Sequence, residues 1–357
     1  MRHFRQEVST TLKQSKTVNE EKEMKIIVDA FGGDNAPLEI LKGSALAVEE
    51  LGVEILLVGD KEKILACAKE NGISMKNTEI LHADKVFEME YDPRTVIKEH
   101  ADTSLAVGMK ALTEGKGDAF VSAGSTGAIV MGATFVVKRI KGIKRAAIAS
   151  IMPSDKNPFM LLDCGANVEC KPEHLAQFAK MGSVYMNRIM GYENPSVGLA
   201  NIGVEENKGT PLQLETYALL KEKKDISFMG NAEVRDIAFG VADVIVADGF
   251  TGNVILKMYE GVAKSMTGNI KAVFKKNVLS MLSYIGVKSG MDAFKKKMDY
   301  KEYGGAVLLG IAKPVIKAHG SSDARAFKNA IRQAVNCVKK DVIGEIKRSV
   351  GEEKDED

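Results

Sequence analysis

The chain has 357 residues, 45% of them hydrophobic and 27% charged, which supports a large buried core and excludes a disordered or fibrous class. Fifty Lys and Arg against 48 Asp and Glu leave a net charge of +2, so no global field recruits nucleic acid and no nucleic-acid partner is expected. The four cysteines, Cys67, Cys164, Cys170 and Cys337, form no Cys-x-x-Cys pair, which speaks against a disulfide framework or a metal site and fits a reducing cytoplasm; no cofactor is expected.

Residues 1 to 23 are polar, without hydrophobic periodicity or the apolar stretch of a secretory signal, and are expected to form a disordered extension. Nowhere does an apolar run reach the eighteen or so residues of a membrane span. From Met24 onward, short apolar runs bounded by Gly, Asn or Asp recur at Lys25 to Val28, Val53 to Val58, Ala119 to Ser122, Met160 to Leu162, Val197 to Ala200 and Val244 to Ala247. They read as buried parallel strands. Helical patterns lie between them, at Pro37 to Leu51, Leu105 to Leu112, Pro172 to Met190 and Pro211 to Leu220, several opened by proline. The alternation predicts an α/β layered fold, in which ligands bind beyond the carboxyl ends of the strands.

The segment from Val262 to Lys301 differs: it carries nine lysines against Asp292 and Asp299 and no strand-like run, and it reads as a helical arm. Val262, Met266, Ile270, Val273, Phe274, Val278, Met281, Leu282 and Ile285 recur at helical spacing, with Lys264, Lys271, Lys275 and Lys276 on other faces. Such a stripe either packs into a core or dimer interface, or presses into anionic lipid while its lysines meet an acidic protein. An amphipathic helix is expected from Asp323 to Ile346, and an acidic, frayed tail over 347–357.

The turns after the strands carry the candidate chemistry. Asp29-Ala-Phe-Gly-Gly-Asp34 pairs two carboxylates with Gly32 and Gly33, whose lack of a side chain lets backbone N–H groups approach an anion; a plain strand-to-helix turn is the alternative. Ser122-Ala-Gly-Ser-Thr-Gly-Ala128 enters an apolar helix and offers Ser122, Gly124, Ser125 and Thr126 to a phosphate, or only to capping. It matches neither the dinucleotide fingerprint, nor the P-loop, nor the nucleophile elbow. Leu162-Asp-Cys-Gly-Ala-Asn167 and Phe228-Met-Gly-Asn231 place Asp163, Asn167 and Asn231 beside glycine, and Asn201 to Gly209 adds Lys208. Asp248-Gly-Phe-Thr-Gly-Asn253 puts Thr251 and Asn253 at the start of a long helix, as ligand donors or as an ordinary cap. His319-Gly-Ser-Ser322 holds the best placed of five histidines together with Ser321.

Taken in order, these turns, with Tyr303 to Gly310, resemble the bacterial phosphate acyltransferase of phospholipid synthesis, the PlsX family, from Met24 to about Gly344. Two departures are visible: Phe31 stands where the family pattern has Met, and Ser125 where it has Asn. The resemblance implies a three-layer α/β/α fold like isopropylmalate dehydrogenase and phosphotransacetylase, in a homodimer. It implies transfer of a fatty acyl group from acyl carrier protein to inorganic phosphate, the acyl phosphate then serving a membrane glycerol 3-phosphate acyltransferase. It places the protein at the inner face of the cell membrane. Within that reading phosphate is expected at Ser122 to Thr126 with Lys98, Lys208 or Thr251 as further donors. Asp29, Asp34, Asp163 or Asp248 is expected to handle its proton, and His319 to protonate the leaving thiolate. Rival readings are a dehydrogenase on the related fold and a non-enzymatic membrane scaffold linking fatty acid and phospholipid synthesis.

Overall fold

The computed structural model describes residues 24–298 and 303–351. In chain order the elements are β1 Lys25–Asp29, α1 Leu38–Leu51, β2 Glu54–Gly59, α2 Lys61–Glu70, β3 Thr78–His82, α3 Ser104–Thr113, β4 Ala119–Ser122, α4 Thr126–Gly132, β5 Ala147–Met152, β6 Phe159–Leu162 and α5 Pro172–Tyr185. They continue as β7 Ser196–Asn201, α6 Pro211–Glu222, β8 Ser227–Glu233, β9 Val244–Val246, α7 Gly249–Phe274, α8 Val278–Met298, β10 Ala306–Leu309, β11 Val315–Lys317, α9 Ala324–Lys339 and α10 Val342–Gly351. The expected extension over residues 1 to 23 and the acidic run Glu352 to Asp357 lie outside the described residues.

Among the described residues eleven strands join one sheet in the order β3-β2-β1-β4-β11-β10-β5-β6-β9-β7-β8. The apolar runs say that both faces are covered, and they are. Ile26 and Val28 point into one core with α1, α5, α9 and α10, whereas Ile27 points into a second with α3, α4 and Ile255 of α7. This is the expected three-layer α/β/α arrangement. The sheet is not all parallel, however. β10 runs antiparallel to both β11 and β5, and β5 antiparallel to β6, so the two outer groups of parallel strands point in opposite directions. Hydrophobic runs report burial and not direction, which is why sequence alone gave a parallel reading.

Local chemistry sets the element ends. The Asp60 carboxylate accepts from the N–H groups of Glu62 and Lys63 at 3.0 and 3.1 Å and opens α2. Gly52 takes a left-handed conformation, φ 63°, and closes α1. The helix expected from Asp323 to Ile346 divides at Asp341, whose positive φ of 48° interrupts it. α10 continues through Gly351 with Ser349 and Val350 buried, so 347–351 belong to the packed domain.

The arm is two helices. α7 starts beneath the sheet at Gly249 and runs out to Phe274, and α8 returns from Val278, with Phe274 and Tyr284 edge to face at 5.2 Å. The apolar stripe does not enter the core: Val273, Val278, Leu279, Met281, Leu282 and Ile285 are all exposed. Among the described residues no helix is long and apolar enough to cross a membrane.

Candidate active site

The carboxyl end of β1 delivers Asp29 into the interior, 1% exposed. Its Oδ1 accepts from the Ser104 hydroxyl and its Oδ2 from the Ser122 hydroxyl, each at 2.7 Å, while Ser122 Oγ accepts from the Gly124 N–H at 3.0 Å. Burial pushes the Asp29 carboxyl above the ordinary range, and the two hydroxyls pull it back. Gly32 is required here: a Cβ would sit 2.7 Å from Asp29 Oδ2 and from Gly124 N. The Asp29 and Ser122 turns are therefore one locked unit.

The β11–α9 turn clasps that unit. Asp34 N–H donates to the Gly320 carbonyl at 2.8 Å, Asn35 Nδ2 to the Ser322 carbonyl, and Ala324 N–H to Glu39 Oε2. Within the turn, the Ser321 N–H donates to His319 Nδ1 at 3.2 Å. The neutral ring then carries its proton on Nε2.

On the other half of the sheet, Asp163 is fully buried after β6. Its Oδ1 accepts from the N–H groups of Ile148, Gly165 and Ala166, and its Oδ2 from the N–H and side-chain amide of Asn167, at 2.8 to 3.2 Å. Burial raises this carboxyl while those donors lower it. Asn167 passes the order on, its carbonyl accepting from the Gly249 N–H at 2.7 Å. Asp248 caps α7, accepting from the Phe250 and Thr251 N–H groups and from the Thr251 hydroxyl.

Between these units lies a cavity of about 310 Å³. Ile148, Ile151, Met152, Leu256 and Ala306 form an apolar wall, and Thr126, Ser150, Asn253, Lys257, Glu260, Lys317 and His319 face the same space. Lys317 is pushed down to about 8, first by burial and then by the Lys257 charge, with Glu260 and Asp34 opposing. His319 is lowered by burial and by the same two lysines, again opposed by Glu260 and Asp34. Cys164 lines the cavity with its thiol pushed up to about 12 by burial, so it stays protonated near neutral pH.

A cavity whose lining combines the Lys257 and Lys317 ammonium groups with Ile148, Ile151, Met152, Leu256 and Ala306 suits an anion and an acyl chain together. The sequence profile of a family described as "Fatty acid synthesis protein" matches residues 24–345. A phosphate acyltransferase of Thermoanaerobacterium thermosaccharolyticum is 47% identical over 327 residues, covering 92% of this chain and 97% of that one. The chain belongs to this family. One of Bacillus licheniformis is 46% identical over 336 residues, covering 93% and 100%. The fold is also that of a phosphotransacetylase from Streptococcus pyogenes, with a TM-score of 0.61 at 17% identity over 91% of this chain and 95% of that one. A branched-chain phosphotransacylase from Enterococcus faecalis gives a TM-score of 0.54 at 14% identity, covering 88% and 99%. The protein is thus an acyltransferase of fatty acid and phospholipid synthesis, which sets aside the dehydrogenase and the purely non-enzymatic scaffold.

The acyltransferase brings Thr126, Asn253 and His319 into the cavity. Asp29, Gly32, Ser122 and Gly124 form the locked turn behind Thr126, and the side chains of Asp29 and Ser122 are already engaged. Ser125 is buried and its side chain makes no cap bond to α4. Gly33, with φ 97°, lies against the Gly320 carbonyl, and Asp34 acts across that contact on Lys317 and His319. Asp163, Asn167, Asp248 and Thr251 build the turn beneath α7. Lys98 is exposed after the Pro93–Ile97 turn that packs on α4.

Asn201, Lys208 and Asn231 form a separate group at β7 and β8. Asn201 Nδ2 donates to the Lys208 carbonyl at 3.0 Å and Asn231 Nδ2 to the Glu205 carbonyl at 2.8 Å, leaving the Lys208 side chain exposed. None of the three lines the cavity.

Lys257, Glu260 and Lys317 were missed in the sequence. A partial signal was present: Asn253, Lys257 and Glu260 share one face of a helix.

Proposed function

We propose that the acyltransferase transfers a fatty acyl group reversibly from acyl carrier protein to inorganic phosphate, giving acyl phosphate for glycerol 3-phosphate acylation. The observation that carries this reading is the cavity itself, whose lining holds Lys257, Lys317, Asn253 and Thr126 together with apolar residues. A phosphate oxygen attacks the thioester carbonyl, the new C–O bond forms, and the C–S bond breaks as the tetrahedral oxyanion collapses. The attacking hydrogenphosphate gives up its proton and the departing thiolate takes one up; His319 in its imidazolium form gives that proton to sulfur and regains one from phosphate, so that thiol and the acyl phosphate dianion are the products. Holding both reactants in one orientation supplies the main acceleration. Direct attack needs no acyl-enzyme, in keeping with the raised Cys164 thiol.

The arm supports the partner reading. Lys264, Lys271, Lys275 and Lys276 offer a basic surface to an acidic carrier protein, and the exposed apolar residues around the α7–α8 turn suit the membrane surface where the glycerol 3-phosphate acyltransferase works. Phe250, Val254 and Met258, exposed along the first turns of α7, offer apolar area to a homodimer partner. The test of the donor is a competition: the same acyl chain on carrier protein and on coenzyme A, each with radiolabelled phosphate. Preferential acyl phosphate formation from the carrier protein supports the reading, and equal or reversed preference contradicts it.

A further inference from the structure

We infer that Lys317 and Lys257 form a two-lysine clamp that takes the inorganic phosphate substrate as its dianion. The inference rests on phosphate being the acyl acceptor, and it assigns the cation that the sequence had sought in Lys98 or Lys208.

β11 lies inside the sheet between β4 and β10, which fixes the Lys317 backbone. Its side chain is half-buried and lines the cavity, where the Glu260 and Asp34 carboxylates act on it through their charge. Across the cavity Lys257 is held loosely by Glu260 at 3.5 Å, one turn away on the same helix. The charged and titratable groups acting on Lys317 are Lys257 and Glu260 from α7, Asp34 from the β1–α1 turn, and His319 from its own chain segment. The half-buried Lys317 ammonium thus shares the cavity lining with Lys257, whose side chain is 62% exposed, and the carboxylates of Glu260 and Asp34 oppose the two positive charges. Two like charges brought together there are unfavourable until a counter-anion arrives. Thr126 and Asn253, on the same lining, supply the neutral donors such an anion needs.

The arrangement has a pH signature. Lys317, near 8, is cationic below that value and neutral above it. A bound dianion favours the charged form, so phosphate binding at pH 8 and above draws a proton onto Lys317. Below neutrality inorganic phosphate itself becomes monoanionic, so binding is tightest between the two limits.

The experiment is calorimetric titration of the full chain with inorganic phosphate, without acyl donor, in buffers of differing ionisation enthalpy, for the wild type, Lys317→Met, Lys317→Arg and Lys257→Met. The wild type is expected to take up a proton on binding at pH 8. Lys317→Met is expected to weaken binding about tenfold or more and to abolish the uptake. Lys317→Arg, which does not deprotonate, keeps binding near wild type while losing the uptake, and Lys257→Met weakens binding on its own. Should Lys317→Met fail to fold, the Arg and Lys257 variants decide. No phosphate binding by the wild type, or binding and proton uptake unchanged in these variants, overturns the clamp. Phosphate binding of the expected kind without acyl transfer overturns instead the reaction assigned above.

Discussion

Replacing Asp163 by Ala removes the acceptor of five hydrogen bonds at once, from four backbone N–H groups and the Asn167 amide. The Ile148 N–H lies inside the sheet and stays orphaned, at about 1–3 kcal/mol. The donors of Gly165, Ala166 and Asn167 are half-buried and reach water in part, so together they add about 2 kcal/mol. The sum, about 3–5 kcal/mol, is a large share of the roughly 5–15 kcal/mol that stabilises a folded domain. For a chain of this size it lowers Tm by about 5 °C. Differential scanning calorimetry beside the phosphate-dependent assay is the test. Asp163→Ala is expected to lose stability and activity together, since the turn it organises also seats Gly249 and α7. Full loss of activity at unchanged Tm refutes this reasoning and makes Asp163 a participant in the chemistry.

Gly252→Ala places a Cβ about 1.8 Å from the Asp163 carbonyl oxygen, so α7 must shift; expression yield and Tm should both fall, and a wild-type Tm contradicts the packing described. Cys164→Ala should retain near wild-type kcat, because a thiol at about 12 holds almost no thiolate at neutral pH; loss of turnover with unchanged circular dichroism restores a thiol nucleophile. Changing Phe274, Leu282 and Ile285 together to Gln should abolish liposome flotation while leaving Tm unchanged, as Leu282 and Ile285 are exposed and Phe274 packs edge to face on Tyr284 of the same arm; unchanged flotation removes this stripe as the anchor.

The sequence showed where the chain turns from strand to helix because glycine, proline and the apolar runs act locally. It marked Asp29, Asp163 and Asp248 as carboxylates at strand ends, but could not say what each would meet. In the fold, Asp29 holds two serine hydroxyls, and Asp163 and Asp248 hold the backbone of their own turns. Lys317 escaped notice because β10 and β11 are four and three residues long, too short for periodicity to register. Its meaning also depends on Lys257, which only tertiary packing brings to the same cavity. The arm's apolar spacing is legible in the sequence, yet whether the stripe is covered depends on the path of α7 away from the sheet.

The account stands most directly on one assay, purified protein with long-chain acyl carrier protein and radiolabelled inorganic phosphate. The predicted result is a lipid-extractable, hydroxylamine-sensitive acyl phosphate whose formation requires both substrates. Intact, folded protein that consumes no acyl carrier protein in the presence of phosphate, or releases free fatty acid without labelled product, contradicts it.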